Sequence, residues 1–570
     1  MNDSETRKCQ NCKQDFVIES DDFAFYEKMK VPAPTFCPDC RFQRRIMFVN
    51  ERVLYRRKCD LCERDIVTIF SPDSELVVYC SECWWSDKWD DSEHFLDYNP
   101  SKPFFGQMAE LQKKTPHMGL LSDYGSLVNS DYVNAAASLK NCYLVFNADF
   151  NENVLFSNTI VHLKDSMDCQ MVGESELMYQ DIDCRGYKLF FCESCDNCSD
   201  SYFLKNCTGC DNCFGCINLR NKKYYIFNKP YSKDEYLEIV KEYKLNSYKE
   251  LLQTRKGVDE FWLKYPHKYM HNSPQNINAT GDYVFRAKNA LNCYQARELE
   301  DARYCQFITM GPVKDVYDFT QWGSGAQRVV DSYGVGDGSD MVRFCCGAWH
   351  QGTIDVEYGM YNISCKHTFG CINQKSKQYR ILNKQYTPEE FTALRLRIIE
   401  DMDKNPYIDS LKRVWKYGEF LPYDLSPFMY NESQASQYYP IAKEEVLKNS
   451  WKWREPQASN YVITLTTDQI SDSIKDVQDL ILKEILGCVK CGKAFKLVLA
   501  ELQLLRRFNF PIPRKCPDCR HLERLARINP PKLWRRKCMK EGCQNEFETS
   551  YAPDRPEIVY CEACYNQEVI

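Results

Sequence analysis

The chain has 570 residues, 44% of them hydrophobic and 14% aromatic, so it can bury several cores and does not have the composition of a disordered protein. Its formal net charge of −6 argues against a protein that coats nucleic acid through charge alone. No segment approaches the roughly 18 consecutive apolar residues that span a bilayer. The chain contains 32 cysteines, and its polar N-terminal segment does not have the pattern of an export signal. These two features favour thiols in a reducing compartment and predict a cytoplasmic protein.

Eight cysteine pairs stand at the two ends of the chain, four at each end. Successive pairs are separated by 24, 18 and 17 residues at both ends, and only the Cys538/Cys543 pair contains a two-residue insertion. Two neighbouring thiolates bind one tetrahedral Zn²⁺ together with a second pair that the fold brings in. Redox motifs of the CxxC type occur singly, so they fit this pattern less well. We therefore predict about four structural Zn²⁺ ions per chain, bound by Cys9, Cys12, Cys37, Cys40, Cys59, Cys62, Cys80, Cys83, Cys488, Cys491, Cys516, Cys519, Cys538, Cys543, Cys561 and Cys564.

Each end divides into two cysteine modules. Residues 8–45 (KCQNCKQDF to CPDCRFQRR) and 487–527 (GCVKCGKAF to CPDCRHLERLAR) place two CxxC motifs around an aromatic segment and a Pro-containing loop. Both resemble the treble-clef zinc-ribbon family, which implies that the second CxxC lies at a helix N-terminus, where the helix dipole favours thiolate. The segments YRRKCDLC to VYCSECWW and WRRKCMKEGC to VYCEACY resemble another small zinc ribbon. The whole chain resembles an uncharacterised bacterial protein family with such ribbons around a Cys-rich centre, and this resemblance implies no activity.

The central region is duplicated. Residues 212–236 (NCFGCINLRNKKYYIFNKPYSKDEY) match 367–391 (HTFGCINQKSKQYRILNKQYTPEEF) at an offset of 155, and 138–146 match 289–297 at an offset of 151. Aromatic or apolar residues recur every 10–16 positions between Asn, Asp, Gly and Ser residues, which predicts short strands in a β-solenoid, with a sandwich as the alternative. Each copy ends in a predicted capping helix that begins at Ser232 or Thr387.

The central cysteines allow two interpretations. Seven of them lie mostly three apart, which is also a spacing of metal sites: Cys192, Cys195, Cys198, Cys207, Cys210, Cys213 and Cys216. Cys210 and Cys216 recur in the second copy as Cys365 and Cys371. Cys195, Cys207 and Cys213 instead correspond to His350, Asn362 and Thr368. A ligand set needed for folding should survive duplication, so the loss favours cysteine as a small apolar filler. A further zinc or iron–sulfur site stays the alternative.

The zinc-rich segments are basic. Residues 488–540 contain 15 Lys and Arg against three acidic residues, and residues 41–58 contain seven against one. These cations have two possible roles, since four thiolates around one zinc carry a net charge of −2 that cations stabilise, and arginines beside aromatic residues bind phosphate and bases. RNA or DNA is therefore one predicted partner and a protein surface the other. The predicted nucleic-acid-binding residues are Arg507, Arg520, Arg524, Arg527, Arg535 and Arg536.

The sequence contains few catalytic motifs. None of its eight His residues stands in HExxH spacing, and no GxSxG, Walker A or strand-linked GxGxxG motif occurs. Gly336-x-Gly338-x-Asp340 partly resembles one calcium-binding repeat, but such repeats bind calcium in tandem, so a polar turn is the better interpretation. We expect a structural or interaction protein, a scaffold for nucleic acid or protein without catalytic activity. One alternative is a carbohydrate-active enzyme with a groove on the solenoid. A type III CoA-transferase is disfavoured, because βαβ alternation and a glycine-rich CoA loop are missing.

The predicted fold is mostly β with α caps, in which paired zinc modules at both termini flank a duplicated β-solenoid-like region. Residues 477–486 (VQDLILKEIL) are predicted to form a helix at the end of the second connector. The predicted domains are a treble-clef module (1–48), a zinc ribbon (49–90), a connector (91–130), the first and second central copies with their caps (131–280 and 281–403), a connector (404–487), a treble-clef module (488–530) and a zinc ribbon (531–570).

Overall fold

The computed structural model describes residues 4–455 and 461–569. The chain forms two compact units, and each unit joins one end of the chain to one half of the central region. Unit 1 consists of Met1–Leu120 and Asn272–Glu455, and unit 2 of Leu121–His271 and Pro456–Ile570. The N-terminal cysteine modules therefore belong with the second central copy, and the C-terminal modules with the first. The division into eight domains stays a prediction.

The helices of the described residues are short and lie mostly outside the central copies. They are α1 (Ser20–Met29), α2 (Pro38–Met47), α3 (Ser81–Trp85), α4 (Phe104–Lys114), α5 (Lys233–Glu242), α6 (Tyr248–Trp262), α7 (Pro388–Lys404), α8 (Ala435–Tyr438), α9 (Lys443–Lys448), α10 (Leu499–Phe508), α11 (Pro517–Arg527) and α12 (Glu562–Val569). No helix within these described ranges is long and apolar enough to cross a membrane.

Strands dominate the fold, as predicted. The N-terminal strands are β1 (Glu5–Lys8), β2 (Asp15–Ile18), β3 (Tyr55–Lys58), β4 (Asp65–Thr68), β5 (Val78–Tyr79) and β6 (His117–Met118). The first central copy contains β7 (Val133–Lys140), β8 (Val145–Leu155), β9 (Asn158–Met167), β10 (Gly173–Glu176), β11 (Ile182–Phe190), β12 (Glu193–Tyr202), β13 (Asp211–Phe214), β14 (Lys223–Ile226) and β15 (Lys229–Pro230), and β16 (Pro266–Lys268) follows it. The second copy contains β17 (Ile277–Phe285), β18 (Lys288–Arg297), β19 (Leu299–Arg303), β20 (Gln306–Ile308), β21 (Val313–Trp322), β22 (Gln327–Val335), β23 (Asp340–Arg343), β24 (Cys346–Trp349), β25 (Ile354–Glu357), β26 (Met360–Ile363), β27 (Lys366–Phe369), β28 (Gln378–Ile381) and β29 (Lys384–Gln385). The remaining strands are β30 (Tyr407–Ile408), β31 (Val414–Trp415), β32 (Leu486–Gly487), β33 (Ala494–Phe495), β34 (Trp534–Lys537), β35 (Glu546–Thr549) and β36 (Ile558–Tyr560).

In unit 2, the nine strands β7–β15 form one sheet in chain order. Each of β7–β13 pairs in parallel with the next, and paired residues are mostly 12 positions apart, as in Val133 with Val145. The last strand, β15, turns back antiparallel to β14. Along these parallel strands every third side chain is buried in the interior of the first central copy. The CxxCxxC spacing of Cys192, Cys195 and Cys198 follows from this three-residue repeat of buried positions.

Residues with positive φ recur at the same interval of three, for example Asn141, Leu144 and Asn147. Left-handed backbone costs a non-glycine residue roughly 1–2 kcal/mol, and Asn tolerates it best because its side chain bonds locally. At one such position the amides of Asn129, Asn141 and Asn153 bond to the next in line at 3.1 and 2.9 Å. The backbone thus bends at every third residue, and side-chain hydrogen bonds between successive turns stabilise these bends.

In unit 1, the thirteen strands β17–β29 form the corresponding sheet. Strands β18, β19, β20 and β21 close a circuit, because β18 and β21 each pair with both β19 and β20. Paired residues are 13 or 14 positions apart from Glu300 to Ile354 and return to 12 beyond it. The turns are therefore longer in this stretch. A β-solenoid for the whole central region stays a prediction.

The predicted helix starts agree with the structure, and one predicted helix does not. Ser232 and Thr387 form capping boxes with Glu235 and Glu390 at the first turns of α5 and α7. The helix predicted for 477–486 is wrong, because only Asp479–Lys483 forms a short 3-10 turn. The chain must be extended at Leu486, which belongs to β32 and pairs with β33.

Candidate metal centres and the arginines beside them

The sixteen terminal cysteines meet in four groups of four. In each group all four sulfur atoms lie within 4.8 Å of one another. The groups are Cys9, Cys12, Cys37 and Cys40; Cys59, Cys62, Cys80 and Cys83; Cys488, Cys491, Cys516 and Cys519; and Cys538, Cys543, Cys561 and Cys564. Four sulfurs bound to one ion at about 2.3 Å and tetrahedral angles would lie about 3.8 Å apart. The cysteines therefore form four sets that fit a metal ion.

The first group joins a strand turn to a helix N-terminus. Cys9 and Cys12 lie in the turn between β1 and β2, and Cys37 is the N-cap of α2. The sulfurs of Cys12 and Cys37 are 3.7 Å apart, and the Cys37 N–H donates to the Cys9 sulfur at 3.3 Å. Pro38 occupies the first helical position, so the remaining free N–H groups and the dipole of α2 favour a thiolate there.

The second group repeats this arrangement at a shorter helix. Cys80 is the N-cap of α3, its sulfur lies 3.9 Å from that of Cys62, and its N–H donates to the Cys59 sulfur at 3.2 Å. The Arg64 guanidinium donates to the Cys62 sulfur at 3.4 Å. This contact lowers the pKa of Cys62 to about 6. Arg64 is thus a cation that contacts the sulfurs directly, as the charge of a four-thiolate site requires.

The C-terminal groups have the same geometry in unit 2. Cys491 and Cys516 sulfurs are 3.7 Å apart, and the Cys516 N–H donates to the Cys488 sulfur at 3.3 Å. In the last group the Cys561 N–H donates to Cys538 at 3.4 Å. The matching distances at the two ends follow from the matching sequence spacing.

The central cysteines do not form such groups. Within the described ranges, the four terminal sets are the ones whose ligand atoms lie close enough for a metal ion. The central thiols are buried and donate to backbone carbonyls, as Cys195 does to Glu193 at 3.3 Å. Burial raises the pKa of Cys142 and Cys365 to about 11, so these groups are protonated thiols at neutral pH. The filler interpretation explains this arrangement.

The arginines that follow the CPDC motif of α2 bind carboxylates of the second central sheet. Arg41 pairs with Asp318 at 2.8 Å, and Arg44 and Arg45 pair with Asp331 at 2.8 and 2.7 Å. These five side chains are at most 5% exposed. Separation of such a pair leaves an uncompensated buried charge, so movement of α2 away from β21 and β22 is costly.

Helix α11 repeats the arrangement in unit 2. Arg520 and Arg524 both pair with Asp168, at 2.8 and 2.7 Å. Arg520 also pairs with Glu501 at 3.0 Å, and Arg527 pairs with Asp259 at 2.7 Å. The helix that begins at each CPDC motif therefore contacts the central region of its own unit through buried arginines. This role differs from the two roles predicted from the sequence, which are shielding of thiolates and binding of phosphate.

The six arginines predicted to contact nucleic acid do not form one surface. Arg520 and Arg524 are buried, and Arg527 and Arg507 are bound to carboxylates, the latter to Asp165 at 2.9 Å. Arg535 and Arg536 lie on the β34–β35 hairpin, where the Arg535 side chain is 79% exposed. Nucleic-acid binding stays a prediction; Arg535 is the most accessible of the six, and it also pairs with Glu546 at 3.0 Å.

The carboxylates that pair with these arginines were not predicted from the sequence. One signal was present, since Asp168 recurs exactly 150 residues later as Asp318. Asp181 likewise recurs as Asp331, although Asp181 accepts the N–H groups of Tyr179 and Cys192 and Asp331 accepts arginines. All four are buried. Acidic residues that persist at matching positions in a copied, otherwise apolar interior indicate a charged partner elsewhere in the chain.

The comparisons with known proteins give no family. No protein-family model matches the sequence, and no curated protein matches it. Among solved structures, a protein of Desulfovibrio desulfuricans G20 described as a putative acetyltransferase is 11% identical over 51% of this chain and 86% of that chain, with a TM-score of 0.09. A similarity of that size carries no argument about fold or activity.

Proposed function

We propose that this chain is a zinc-binding interaction protein with four structural Zn²⁺ ions, one in each cysteine group. The observation that carries the proposal is the set of four complete four-sulfur groups. Structural zinc sites have four protein ligands and no open position, whereas catalytic zinc keeps a position for water or substrate. Thiolate sets also favour zinc over harder divalent ions. The sixteen cysteines form no disulfides, as is usual in a reducing compartment, which supports the cytoplasm as the location.

The folds proposed for the two kinds of region are treble-clef and ribbon modules at the ends and a β-solenoid in each central copy. Support for the first comes from the turn-and-helix position of each cysteine pair, with Cys37 and Cys516 as helix N-caps. Support for the second comes from consecutive parallel strands with partners about 12 residues apart. Such a stack exposes long flat faces, and these suit a scaffold that binds an extended partner.

The zinc proposal is tested by metal analysis of the full chain. We expect about four zinc equivalents per chain, and about three in each of the single variants Cys40→Ser and Cys519→Ser. Cys365→Ser, which alters a central thiol, is the matched control and should retain four. A wild-type zinc content near zero after purification under reducing, metal-replete conditions contradicts the proposal.

The partner proposed first is RNA or DNA, bound by the C-terminal ribbon at strand β34. Arg535 is 79% exposed on one face of this strand, and Trp534 and Arg536 lie half-buried on the other. Lys532 lies 5.6 Å from the centre of the Trp534 ring. Phosphate binding of this kind weakens steeply with salt. We expect Arg535→Glu with Arg536→Glu to abolish binding of a single-stranded oligonucleotide without loss of zinc. If wild-type protein shows no salt-dependent binding, a protein partner becomes the preferred one.

A further inference from the structure

A polar cleft of about 670 Å³ opens on unit 1 at the turns of the second central sheet. Four successive turns supply one side chain each, Ser324, Asp337, His350 and Ser364. This volume lies in the range of small-molecule sites. The cleft contains none of the metal-binding cysteines, and the scaffold proposal gives it no role.

The cleft exists because the turns that form it are longer than the others. Residues paired across β21, β22, β23 and β25 are 13, 13 and 14 positions apart, against 12 across β25 and β27. The longer turns contain Gly325, Gly338 and Gly352, all with φ between +71° and +87°. A Cβ on Gly325 would lie 3.5 Å from the Gly338 backbone. These stacked glycines turn the chain sharply and add no side chains to the cleft.

The polar side chains of the cleft form a contact series. The Ser324 hydroxyl donates to one Asp337 oxygen at 3.4 Å, and the other Asp337 oxygen lies 3.5 Å from Nδ1 of His350. The Asp337 and His350 side chains are 32% and 38% exposed, so solvent and ligands reach them. A carboxylate at Nδ1 fixes the tautomer in which Nε2 is free to accept a proton.

Ser364 occupies the turn next to His350. Ile363 pairs with Trp349, and the Ser364 N–H donates to the Trp349 carbonyl at 3.0 Å. Neighbouring strands are about 4.8 Å apart, so the two turns lie side by side at the cleft. The backbone N–H groups of Gln351 and Gly352 make no hydrogen bond to the part of the chain that the structure describes. Two adjacent N–H groups of this kind suit a developing oxyanion.

We propose that this cleft hydrolyses esters of short acyl groups on polar alcohols, with Ser364 as nucleophile and His350 as general base. Ser364 Oγ forms a bond to the acyl carbon while its proton passes to Nε2 of His350. The imidazolium then protonates the leaving alcohol as the ester C–O bond breaks. Water hydrolyses the acyl-serine by the same proton route, which releases the carboxylic acid and restores the hydroxyl. Asp337 is a positioning residue that holds the His350 ring.

The site belongs to unit 1 alone. The residue 155 positions before Ser364 is Gly209, which has no nucleophile. A second histidine–carboxylate pair in unit 1, His367 with Asp355 at 2.9 Å, lies outside the cleft lining. There His367 is stacked on Tyr379 at 5.0 Å, and Asp355 also binds Arg343. Of these two pairs, the His350 pair combines an open cleft with a neighbouring serine.

The experiment is labelling of the full zinc-loaded chain with a fluorophosphonate, which is attacked by activated serines with formation of an O–P bond and loss of fluoride. We expect one label per chain, and peptide mass spectrometry of the wild-type protein should locate it on Ser364. Replacement of His350 by Ala should slow labelling roughly 100-fold or more. Asp337→Asn should slow it by about tenfold or more, and Asp337→Glu should restore part of the rate.

Ser376→Ala is the matched control. Ser376 lies at the same position one turn further along, its N–H donates to the Ile363 carbonyl at 2.8 Å, and it does not line the cleft. This variant should label as the wild type does. Wild-type protein with intact zinc content that takes no label, or takes it at a residue other than Ser364, overturns the proposal.

Discussion

The buried carboxylate of Asp168 offers the sharpest test of how the C-terminal cysteine module that contains α11 is held in unit 2. Its side chain is 0% exposed and receives Arg520 and Arg524, which are 5% and 4% exposed. In Asp168→Asn the shape is kept and the charge is lost, so Arg520 keeps only Glu501 as an ion-pair partner, and Arg524 keeps only the Phe156 carbonyl as an acceptor. Removal of one partner from a buried pair costs about 3–5 kcal/mol. We expect a loss of that size in the stability of α11 against the sheet.

Hydrogen exchange of the α11 amides in zinc-loaded protein measures this loss directly, because the two units need not unfold together. Asp165→Asn is the matched control three residues away. Asp165 pairs with Arg507, which is 51% exposed, and such surface pairs contribute at most about 1 kcal/mol. If Asp168→Asn costs no more than Asp165→Asn, the buried pairs do not hold α11, and the reasoning fails.

Three further outcomes are expected. Burial raises the pKa of Glu501 to about 7 from 4.5. Between these pH values the folded state therefore binds more protons than the unfolded state. The unfolding free energy should fall by up to about 3 kcal/mol as pH rises from about 4.5 to 7. Denaturation by urea at several pH values measures this slope, which Glu501→Gln should flatten. Gly281→Ala should lower the unfolding free energy by about 3 kcal/mol or more, because φ is +120° and a Cβ would lie 1.7 Å from the Cys293 carbonyl oxygen. Gly257→Ala in α6, where a Cβ would have nothing within 4 Å, should raise it by up to about 1 kcal/mol. Equal urea midpoints of the two variants would contradict this. Cys213→Thr should cost less than about 2 kcal/mol and leave the zinc content unchanged, and loss of one metal equivalent would instead reveal a site in the first copy.

The cysteine groups were predictable because each forms from a short piece of chain. Cys9 and Cys40 are 31 residues apart, and a strand turn with a following helix is enough to join them. The helix starts at Ser232 and Thr387 were predictable for the same reason, since a capping box acts within four residues. Local chemistry of this kind is encoded by local sequence.

The central repeat was only partly predictable. Apolar residues every 10–16 positions indicated successive strands, but the three-residue interval was hidden by its inward residues, many of which are cysteines such as Cys207 and Cys210. As a sequence motif, these cysteines suggest a metal site. In the structure their three-residue spacing arises because one residue in three faces the interior. Identical CxxC patterns thus have different causes at the ends and in the centre.

The pairing of ends with copies could not be predicted, because it depends on contacts between distant residues. Arg44 and Asp331 are separated by 287 positions, and Arg524 and Asp168 by 356. As the chain leaves the ribosome, the first cysteine modules can bind zinc within about 85 residues, but the carboxylates for Arg44 and Arg45 come only with the second copy. The first copy likewise contains Asp168, whose partners on α11 are made only near the other end of the chain. If each module binds zinc as proposed, it can fold by itself, and its arginines then lie on a folded surface until their carboxylate partners are made.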